Sequence, residues 1–399
     1  METIIQDHNN LIQIGEALQI ARKRASITQE AAAEIIGVAR TTIVAMEKGE
    51  RRIKATELLK LARAYGRPIS EFVESKPQAE PFEVQFRGPS IRSDKDDLEI
   101  EPIVREFEEL CTNYSNMERL LDAPLNRRYP AEYSLHGLTI DQAAENIAMM
   151  ERQRLNLGDG PLSVLRDILE QDIGMRVFYI PMPSKFSEMY FYSDHLGGCL
   201  AINQNHPEER RRLSMAHGYA HFLTSRFKPV VDADGQYQRK PDSERFADAF
   251  ATYFLMPTSG LVRRFTDLHR AKDKLTLGDL CTLAHFYWVS LEALVRRLED
   301  LRLIGAGKAD TIKSSGFKVG EAKQQLGLSE IPVRADRLPT RYQYLALDAF
   351  KNEVIGEGQF ARLLGVDRLE ARRVANNLRQ TGMEFESSFD LPEFVGTRG

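Results

Sequence analysis

Apolar positions along most of the chain recur three or four residues apart, the spacing that places side chains on one face of a helix. Gly and Pro interrupt this spacing and mark where the helices end. The pattern predicts helices over 11–24, 28–36, 40–50, 55–65, 103–121, 139–155, 162–170, 210–223 and 243–257, two helices over 275–303 joined at 287–290, and a compact helical cap over 341–379. Most of the chain is therefore expected to be helical.

In the middle of the chain the pattern changes to short apolar runs bounded by turn residues, which is typical of strands. The runs are 175–180, 189–192 and 199–203, and Gly197 and Gly198 bend the chain before the last one. They predict a small antiparallel sheet followed by a helix, a layout in which a sheet edge forms one wall of a peptide groove. The expected fold class is thus α+β and mostly helical.

The 399 residues suffice for two or three domains, each with its own core. Shifts in composition divide the chain into an all-α N-terminal domain, a linker, a central α+β domain, a loop and a helical C-terminal region. The predicted bounds, in the same order, are 9–73, 74–100, 101–304, 305–339 and 340–399. The last region has few basic residues, which favours a role in packing or dimerisation over contact with DNA.

Composition excludes several classes of protein. Apolar residues make up 42% of the chain, charged residues 28%, and the net charge is −4, as in an ordinary globular protein. The three cysteines are an odd number without C-x-x-C spacing, which argues against a disulfide framework. The first ten residues do not have the pattern of a signal peptide, and no apolar run approaches the roughly 20 residues of a membrane span. A cytoplasmic location is therefore expected.

The N-terminal part of the chain is basic, with 11 Lys and Arg against seven Asp and Glu over residues 9–73. This is a moderate indication of nucleic-acid binding. Residues 28–50 have the pattern of a short helix, a three-residue turn and a second short helix, with Thr28 suited to the N-cap and Gly37 to the turn. A helix-turn-helix has this spacing and presents its second helix to the major groove. The alternative is a small helical bundle used for dimerisation.

Four short runs carry a closer resemblance: Ile27-Thr28-Gln29-Glu30, Gly37-Val38, Arg40-Thr41-Thr42-Ile43 and Glu47-Lys48-Gly49. Through them residues 11–72 resemble the Cro/CI-type (XRE) helix-turn-helix family. The resemblance implies a homodimer on a double-stranded DNA operator, with Arg40, Thr41 and Thr42 facing base edges. It also implies phosphate contacts from four residues: Gln29, Lys48, Arg51 and Arg52. Ala39 replaces the hydroxyl residue usual at this N-cap, which should weaken the helix start by about 1 kcal/mol.

His217 and His221 lie four residues apart in a helical pattern, so both imidazoles can reach one metal ion. In the H-E-x-x-H pattern of zinc proteases, the glutamate after the first histidine takes a proton from the metal-bound water. Here that residue is Gly218, which has no side chain. Glu244, on a second amphipathic helix, would complete a site of two histidines and one glutamate. Asp248, one turn on, can hydrogen-bond a ligand histidine; the alternative for both acids is a solvated helix face.

The runs around these residues are 196–203, 210–223, 244–251 and 255–257. They are similar to the ImmA/IrrE family of metallopeptidases, and the similarity spans residues 158–257 and weakens toward 304. It implies one Zn²⁺ per chain, with His217, His221 and Glu244 as ligands and Gly218 in the position of the general base. Members of the family cleave helix-turn-helix repressors and so release stress, defence or mobile-element genes. Others carry a fused helix-turn-helix and resemble regulators of neighbouring genes.

Together these features predict a cytoplasmic DNA-binding transcription regulator that acts as a repressor. Its zinc domain would be catalytically impaired, because loss of a general base typically lowers a rate by about 10²–10⁴, and would bind a peptide, a partner repressor or a small signal. Gly218 fits either a natural pseudo-enzyme or a chain altered on purpose. The alternative function is a zinc endopeptidase that cleaves a helix-turn-helix repressor, here in an inactive form. A third hypothesis is a scaffold that has lost its metal.

Overall fold

The structure is a computed structural model and describes residues 27–65, 94–233, 240–272, 274–328 and 336–388, together with a few positions between 14 and 25. The predicted linker lies outside these residues over positions 74–93, as does the start of the first predicted helix. The chain divides into two compact units, Met1–Glu80 and Pro81–Gly399. None of the helices in the described ranges is both long and apolar enough to cross a membrane.

The first unit contains three described helices, α1 (Gln29–Ile36), α2 (Arg40–Glu47) and α3 (Ala55–Ala64). Thr28 caps α1 by accepting a 3.1 Å hydrogen bond from the backbone N–H of Ala31, as expected. Gly37 ends α1 with φ of 72°, a left-handed conformation that glycine adopts without strain. The predicted helix-turn-helix is therefore confirmed.

A buried ion pair stabilises this first unit. Arg22 donates two hydrogen bonds to the carboxylate of Glu47, at 2.5 and 3.0 Å, and both side chains are almost fully buried. Burial opposes ionisation of Glu47, but the hydrogen bonds from Arg22 and Gln29 outweigh it and lower the pKa of Glu47. The pair holds the segment before α1 against the end of α2. Apolar residues pack around it, among them Ile14, Leu18, Ala32, Ile43, Met46, Leu58 and Leu61.

The helices of the second unit are α4 (Asp94–Leu120), α5 (Ile140–Arg154), α6 (165–173, with a wider π-helical turn over Ile168–Ile173), α7 (Glu208–Thr224), α8 (Asp242–Leu255), α9 (Thr258–Ala271), α10 (Leu277–Tyr287), α11 (Leu291–Asp300), α12 (Lys308–Ser314), α13 (Val319–Gln325), α14 (Thr340–Lys351), α15 (Glu357–Leu364) and α16 (Arg368–Ser388). Its strands are β1 (Arg176–Ile180), β2 (Phe186–Ser193), β3 (Gly197–Asn203) and β4 (Val230–Ala233). The unit is α+β and mostly helical, as predicted.

The sheet is mixed, so the prediction of an antiparallel sheet was wrong in one pairing. Its strand order is β1-β3-β2-β4, with β3 parallel to β1 and antiparallel to β2. After β2, the chain turns back and β3 inserts between β1 and β2. Because β3 is antiparallel to β2, it runs in the same direction as β1. The sequence pattern did not indicate β4, which pairs antiparallel with β2 at the sheet edge.

One face of the sheet packs against α7, with α8 packed on α7 and α5 packed on α8, and these elements form the larger core. Alternate residues of the strands point to this face, as the two-residue period of a strand requires. Aromatic side chains of α7 and α8 meet them, including Tyr219, Phe222, Phe246, Phe250 and Phe254. The helix that carries the two histidines is therefore held directly against the sheet.

The opposite face packs against α4 and the C-terminal helices α14, α15 and α16. Phe178 on β1 contacts the ring of Tyr342 on α14, with ring centroids 6.2 Å apart. Glu118 on α4 accepts hydrogen bonds of 2.6 Å from both Arg176 on β1 and Arg341 on α14. The predicted C-terminal region 340–399 thus shares its core with the sheet over its described residues.

The predicted loop 305–339 is helical over much of its length, and this prediction was wrong. Helices α12 and α13 occupy it, and Ala309 of α12 is buried with Cys281, Leu291 and Val295. The many Gly, Lys and Ser residues of this segment lie mostly in turns and on exposed helix faces, and this composition obscured two short amphipathic helices. The three cysteines of the chain are free and buried, in agreement with the prediction of no disulfide.

Candidate metal centre

Two helices bring the candidate ligands together. Helix α7 begins after Pro207, and its histidines His217 and His221 lie one turn apart on the same face. Helix α8 begins after Pro241 and carries Glu244 in its first turn, so the carboxylate lies opposite the two imidazoles. All three side chains are at least 94% buried.

The three groups are spaced as a tetrahedral zinc ion requires. The Nε2 atoms of His217 and His221 are 3.1 Å apart. Oε2 of Glu244 lies 3.3 Å from His217 Nε2, and Oε1 of Glu244 lies 3.5 Å from His221 Nε2. Two ligands about 2.05 Å from a tetrahedral ion are about 3.3 Å apart. The residues present therefore fit zinc, and they form one group with ligand atoms within 4.8 Å of one another.

Asp248 fixes the orientation of the first histidine. Its Oδ1 lies 3.3 Å from His217 Nδ1, which directs His217 Nε2 toward the other ligands. Its Oδ2 accepts a 2.6 Å hydrogen bond from Lys240. Burial opposes the ionised form of Asp248, but the hydrogen bonds and charges of His217 and Lys240 together outweigh it and lower the pKa of Asp248. Asp248 thus stays charged beside the ligand histidine.

The site has a strongly negative field. Burial opposes ionisation of Glu244, but hydrogen bonds to His217 and His221 bring its pKa well below the usual range. Burial also disfavours a charged His217, yet the attraction of Glu188 and the hydrogen bonds to Asp248 and Glu244 raise its pKa. Burial lowers the pKa of His221, which favours the neutral imidazole that binds metals. A dication would be attracted by this surplus of carboxylates.

A further carboxylate, which sequence reasoning missed, lies beside Gly218. A Cβ atom built on Gly218 would be 3.0 Å from Oε1 of Glu188 and in contact with Leu200. Glu188 is on β2, fully buried, and neither of its carboxylate oxygens has a hydrogen-bond partner among the described residues. Burial raises its pKa well above the usual value, although His217 pulls it down. The available signal was an acid directly before the apolar run 189–192, where a strand normally buries no charge.

A cavity of about 390 Å³ opens beside the ligand face. Its lining includes residues of α7, α8, β4 and the loop before α11: Ser214, His217, Asp232, Lys240, Asp248, Val289 and Ser290. Tyr190, on β2, stacks on His221 with ring centroids 6.4 Å apart and donates to the carbonyl of Arg226. The arrangement can hold a metal ion at the edge of a pocket of small-peptide size.

The residues predicted to contact DNA lie on and around α2. Arg40, Thr41, Lys48 and Arg52 are exposed, and Thr42 is half-buried. Two other predicted contacts are engaged within the protein: Gln29 donates a 2.9 Å hydrogen bond to Glu47, and Arg51 pairs with Glu57 at 3.0 Å. Ala39 provides no side-chain cap to α2.

Comparison with known proteins agrees with both predicted domain types. Residues 18–72 match the helix-turn-helix family, and residues 170–299 match the peptidase family described as IrrE N-terminal-like domain. No curated protein matches the chain. Among solved structures, the crystal structure of ComR from Streptococcus suis covers 94% of this chain and 91% of that chain at 10% identity. Its TM-score of 0.16 is too low to support any statement about this fold.

The two family matches enclose the features on which both resemblances rest. The first match contains the whole of α1, α2 and α3, and the second contains the sheet, both histidines and Glu244. The chain is a fusion of an XRE-type helix-turn-helix domain with an IrrE/ImmA-like domain of a metallopeptidase family.

Proposed function

We propose that this DNA-binding regulator is a repressor that reads its operator through α2 and holds one zinc ion in its IrrE-like domain. The observation that carries the proposal is the convergence of His217, His221 and Glu244 at tetrahedral spacing in a chain that begins with a helix-turn-helix. The zinc domain would bind a peptide, a partner repressor or a small signal, and this binding would change the affinity of the chain for DNA.

DNA recognition is supported by the chemistry at the start of α2. Arg40 and Thr41 are exposed there, and their donors suit the acceptors of base edges in the major groove. Lys48 and Arg52 are exposed at the other end and are placed to contact phosphates. Two copies of the chain on a two-fold operator would present two such helices.

The DNA test compares the wild-type chain with the double variant Arg40→Ala and Thr42→Ala. The probe is a duplex selected by the wild-type chain from a random-sequence pool. We expect the double variant to bind it at least tenfold more weakly, since a bidentate base contact contributes about 1–3 kcal/mol. Arg263→Ala, which removes the same charge from the surface of the second unit, should bind as wild type. Unchanged affinity of the double variant for the duplex would refute the proposal that α2 reads the operator.

In the zinc domain, His217, His221 and Glu244 would hold the ion and Asp248 would orient His217. Bound zinc supplies Lewis-acid chemistry and activates water. The test is the metal content of the purified chain, with about one zinc per chain expected from the ligand set. His217→Ala should lose the metal, whereas His269→Ala, a histidine stacked on Phe265 on α9, should retain it. A metal-free wild-type chain would contradict the proposal.

The second candidate function is a zinc endopeptidase that cleaves a helix-turn-helix repressor. The specific observation in its favour is the buried carboxylate of Glu188 beside Gly218. The impaired hydrolysis expected from Gly218 stays a prediction, and it holds only if Glu188 does not act in place of the missing helix acid.

A further inference from the structure

We propose that Glu188 supplies, from strand β2, the carboxylate that an H-E-x-x-H helix carries at position 218. The proposal rests on the zinc site described above and makes Glu188 the general base for peptide hydrolysis. Three features of the described residues carry it: the shared space with Gly218, the absence of a partner for the carboxylate, and its position just outside the ligand set.

Glu188 and a side chain at position 218 would compete for the same volume. A Cβ on Gly218 would meet Leu200 Cδ2, a clash that the end of the leucine side chain must relieve, and would lie 3.0 Å from Glu188 Oε1, closer than a carbon and an oxygen normally lie without a bond. Position 218 follows His217 directly on α7, so this volume is where the acid of an H-E-x-x-H helix leaves the backbone. The chain therefore contains a carboxylate in this place, but it comes from the neighbouring strand.

The Glu188 carboxylate is an exception among the buried acids of the described chain. Glu47, Glu118, Glu151 and Glu170 each accept hydrogen bonds from an arginine. Glu188 is fully buried, and both of its oxygens lack a partner among the described residues. Because an unpaired buried carboxylate is strongly destabilising, the carboxyl of Glu188 needs a partner that a bound water or ligand would supply.

The position of Glu188, beside Gly218 and outside the ligand set, does not fit a fourth metal ligand. The group of potential ligand atoms within 4.8 Å of one another contains His217, His221 and Glu244 and leaves Glu188 out. On the same face of β2, Tyr190 stacks on His221. Glu188 and Tyr190 thus lie on the strand side of α7, Glu188 beside position 218 and Tyr190 beside His221.

In hydrolysis, Glu188 would take one proton from the attacking water as the water oxygen bonds to the peptide carbonyl carbon. The carbon–nitrogen bond then breaks, and Glu188 returns that proton to the leaving nitrogen. One water and one peptide bond give one carboxylic acid and one amine, so Glu188 ends in its initial state. This proton transfer is the contribution of a general base, about 10²–10⁴ in rate.

The first test measures binding of acetohydroxamate to the zinc-loaded full chain by calorimetry. A hydroxamate chelates zinc and hydrogen-bonds to a carboxylate beside it, so it reports on this contact without any turnover. We expect Glu188→Gln to weaken acetohydroxamate binding about tenfold, the effect of losing one charge-assisted hydrogen bond, with zinc content unchanged. Asp267→Asn, which removes an exposed acid on α9 that does not line the cavity, is the control and should bind acetohydroxamate within threefold of wild type.

Equal acetohydroxamate affinity in wild type and Glu188→Gln, with zinc present in both, would overturn the role of Glu188. Absence of zinc from the wild-type chain would instead overturn the metal site itself, so the two failures are distinguishable. Cleavage of a blocked-peptide library, read by mass spectrometry, should fall at least 100-fold in Glu188→Gln.

A second test exchanges the two residues. Gly218→Glu alone places two carboxylates in one buried volume and should lower both stability and acetohydroxamate affinity. Glu188→Gly alone should lower the affinity by removing the carboxylate. The double variant Glu188→Gly with Gly218→Glu moves the acid to the helix, and we expect it to regain at least half of the loss in log affinity. A double variant that folds and holds zinc but binds acetohydroxamate no better than the weaker single variant would contradict the proposal.

Discussion

At the scale of single residues, Gly218 is unusual because it lies inside a buried helix. Glycine in a helix interior destabilises it by about 1 kcal/mol relative to alanine, so a close approach must offset this cost. Leu200 on β3 and Glu188 on β2 fill the volume where its Cβ would lie. The absent side chain therefore allows α7 to lie close against the sheet.

Gly218→Ala should accordingly destabilise the chain by about 1–3 kcal/mol, because the added methyl group overpacks a filled volume. Gly278, in the first turn of α10, is the matched control, since its nearest neighbour is Leu326 at 3.4 Å and an added methyl fits there. Gly278→Ala should be neutral or stabilising, by up to about 1 kcal/mol. Chemical denaturation measures the free energy of unfolding of both variants. Equal changes in this free energy would show that helix propensity alone determines the effect.

Asp248 allows a second prediction at this scale. Asp248→Asn should weaken zinc binding about 10–100-fold, because the neutral amide orients and polarises His217 less well. Asp242→Asn, on the same helix with a side chain 79% exposed, should leave zinc affinity unchanged. Competition against a chelator measures both values, and a loss in Asp242→Asn of the same size would attribute the effect to charge alone.

At the scale of elements, the two helices of the helix-turn-helix begin differently. Thr28 caps α1 through its hydroxyl, whereas Ala39 leaves the first N–H groups of α2 without a side-chain acceptor. The N-terminus of α2, the helix proposed to read DNA, is therefore less stabilised than the N-terminus of α1.

Ala39→Ser should stabilise α2 by about 1 kcal/mol, and Thr28→Ala should destabilise α1 by a similar amount. Hydrogen exchange of the full-length chain, read over the peptides of each helix, measures both effects. Slower exchange in α2 and faster exchange in α1 are expected. No change in Ala39→Ser would mean that water satisfies these groups equally well.

Helix α10 should show a dependence on pH. A hydrogen bond from Lys272 and two from Thr276 lower the pKa of Asp279 from 3.8 to about 2. Because the folded pKa is depressed, the ionised cap stabilises the fold above pH 4, and this stabilisation is lost as the pH falls toward 2. Asp279→Asn should destabilise the chain by about 1–2 kcal/mol at pH 7. Unfolding curves should show that difference narrowing below pH 4, and a constant difference would contradict the assignment.

The sequence was most informative where local spacing determines the structure. The spacing of His217 and His221, together with Glu244 on a second helix, was enough to nominate three groups that the fold brings together. Apolar periodicity likewise located the helix-turn-helix. These features depend on residues close in sequence, and for that reason a single chain reveals them.

Other features depend on contacts between distant segments. The parallel pairing of β1 with β3 follows from the place of β2 in the sheet, which no local pattern encodes. Glu188 lies beside Gly218 only because β2 packs against α7, so no local sequence pattern brings the two residues together. The helices α12 and α13 were missed because each is short and rich in polar residues.

At the scale of the whole molecule, the second unit is built on one sheet with a core on each face. Helix α7, which carries His217 and His221, covers one face, and the C-terminal helices cover the other. Tyr342 of α14 is fully buried in the second core, contacts Tyr114 and Phe178, and donates a 3.0 Å hydrogen bond to the carbonyl of Leu363. The C-terminal helices therefore support the sheet against which the metal site is assembled.

Tyr342→Ala should destabilise this unit by about 3–5 kcal/mol through the cavity it leaves. Zinc should raise the melting temperature of the same transition, because ligand binding to the folded state stabilises it. Calorimetry with and without zinc checks whether the substitution and the metal act on one transition. Lys351→Ala, exposed on the same helix, should leave the melting temperature unchanged. Separate transitions for metal and substitution would show that the two cores unfold independently.

The alternation of side chains along β2 has an evolutionary consequence. Glu188 and Tyr190 point to α7. Met189 and Phe191, one residue away, point to the core on the opposite face of the sheet. Adjacent positions of β2 are therefore constrained by different neighbours. In an alignment of relatives, position 188 should co-vary with position 218, and position 189 with residues of the opposite core. Substitutions at adjacent positions of β2 would then be nearly independent of one another.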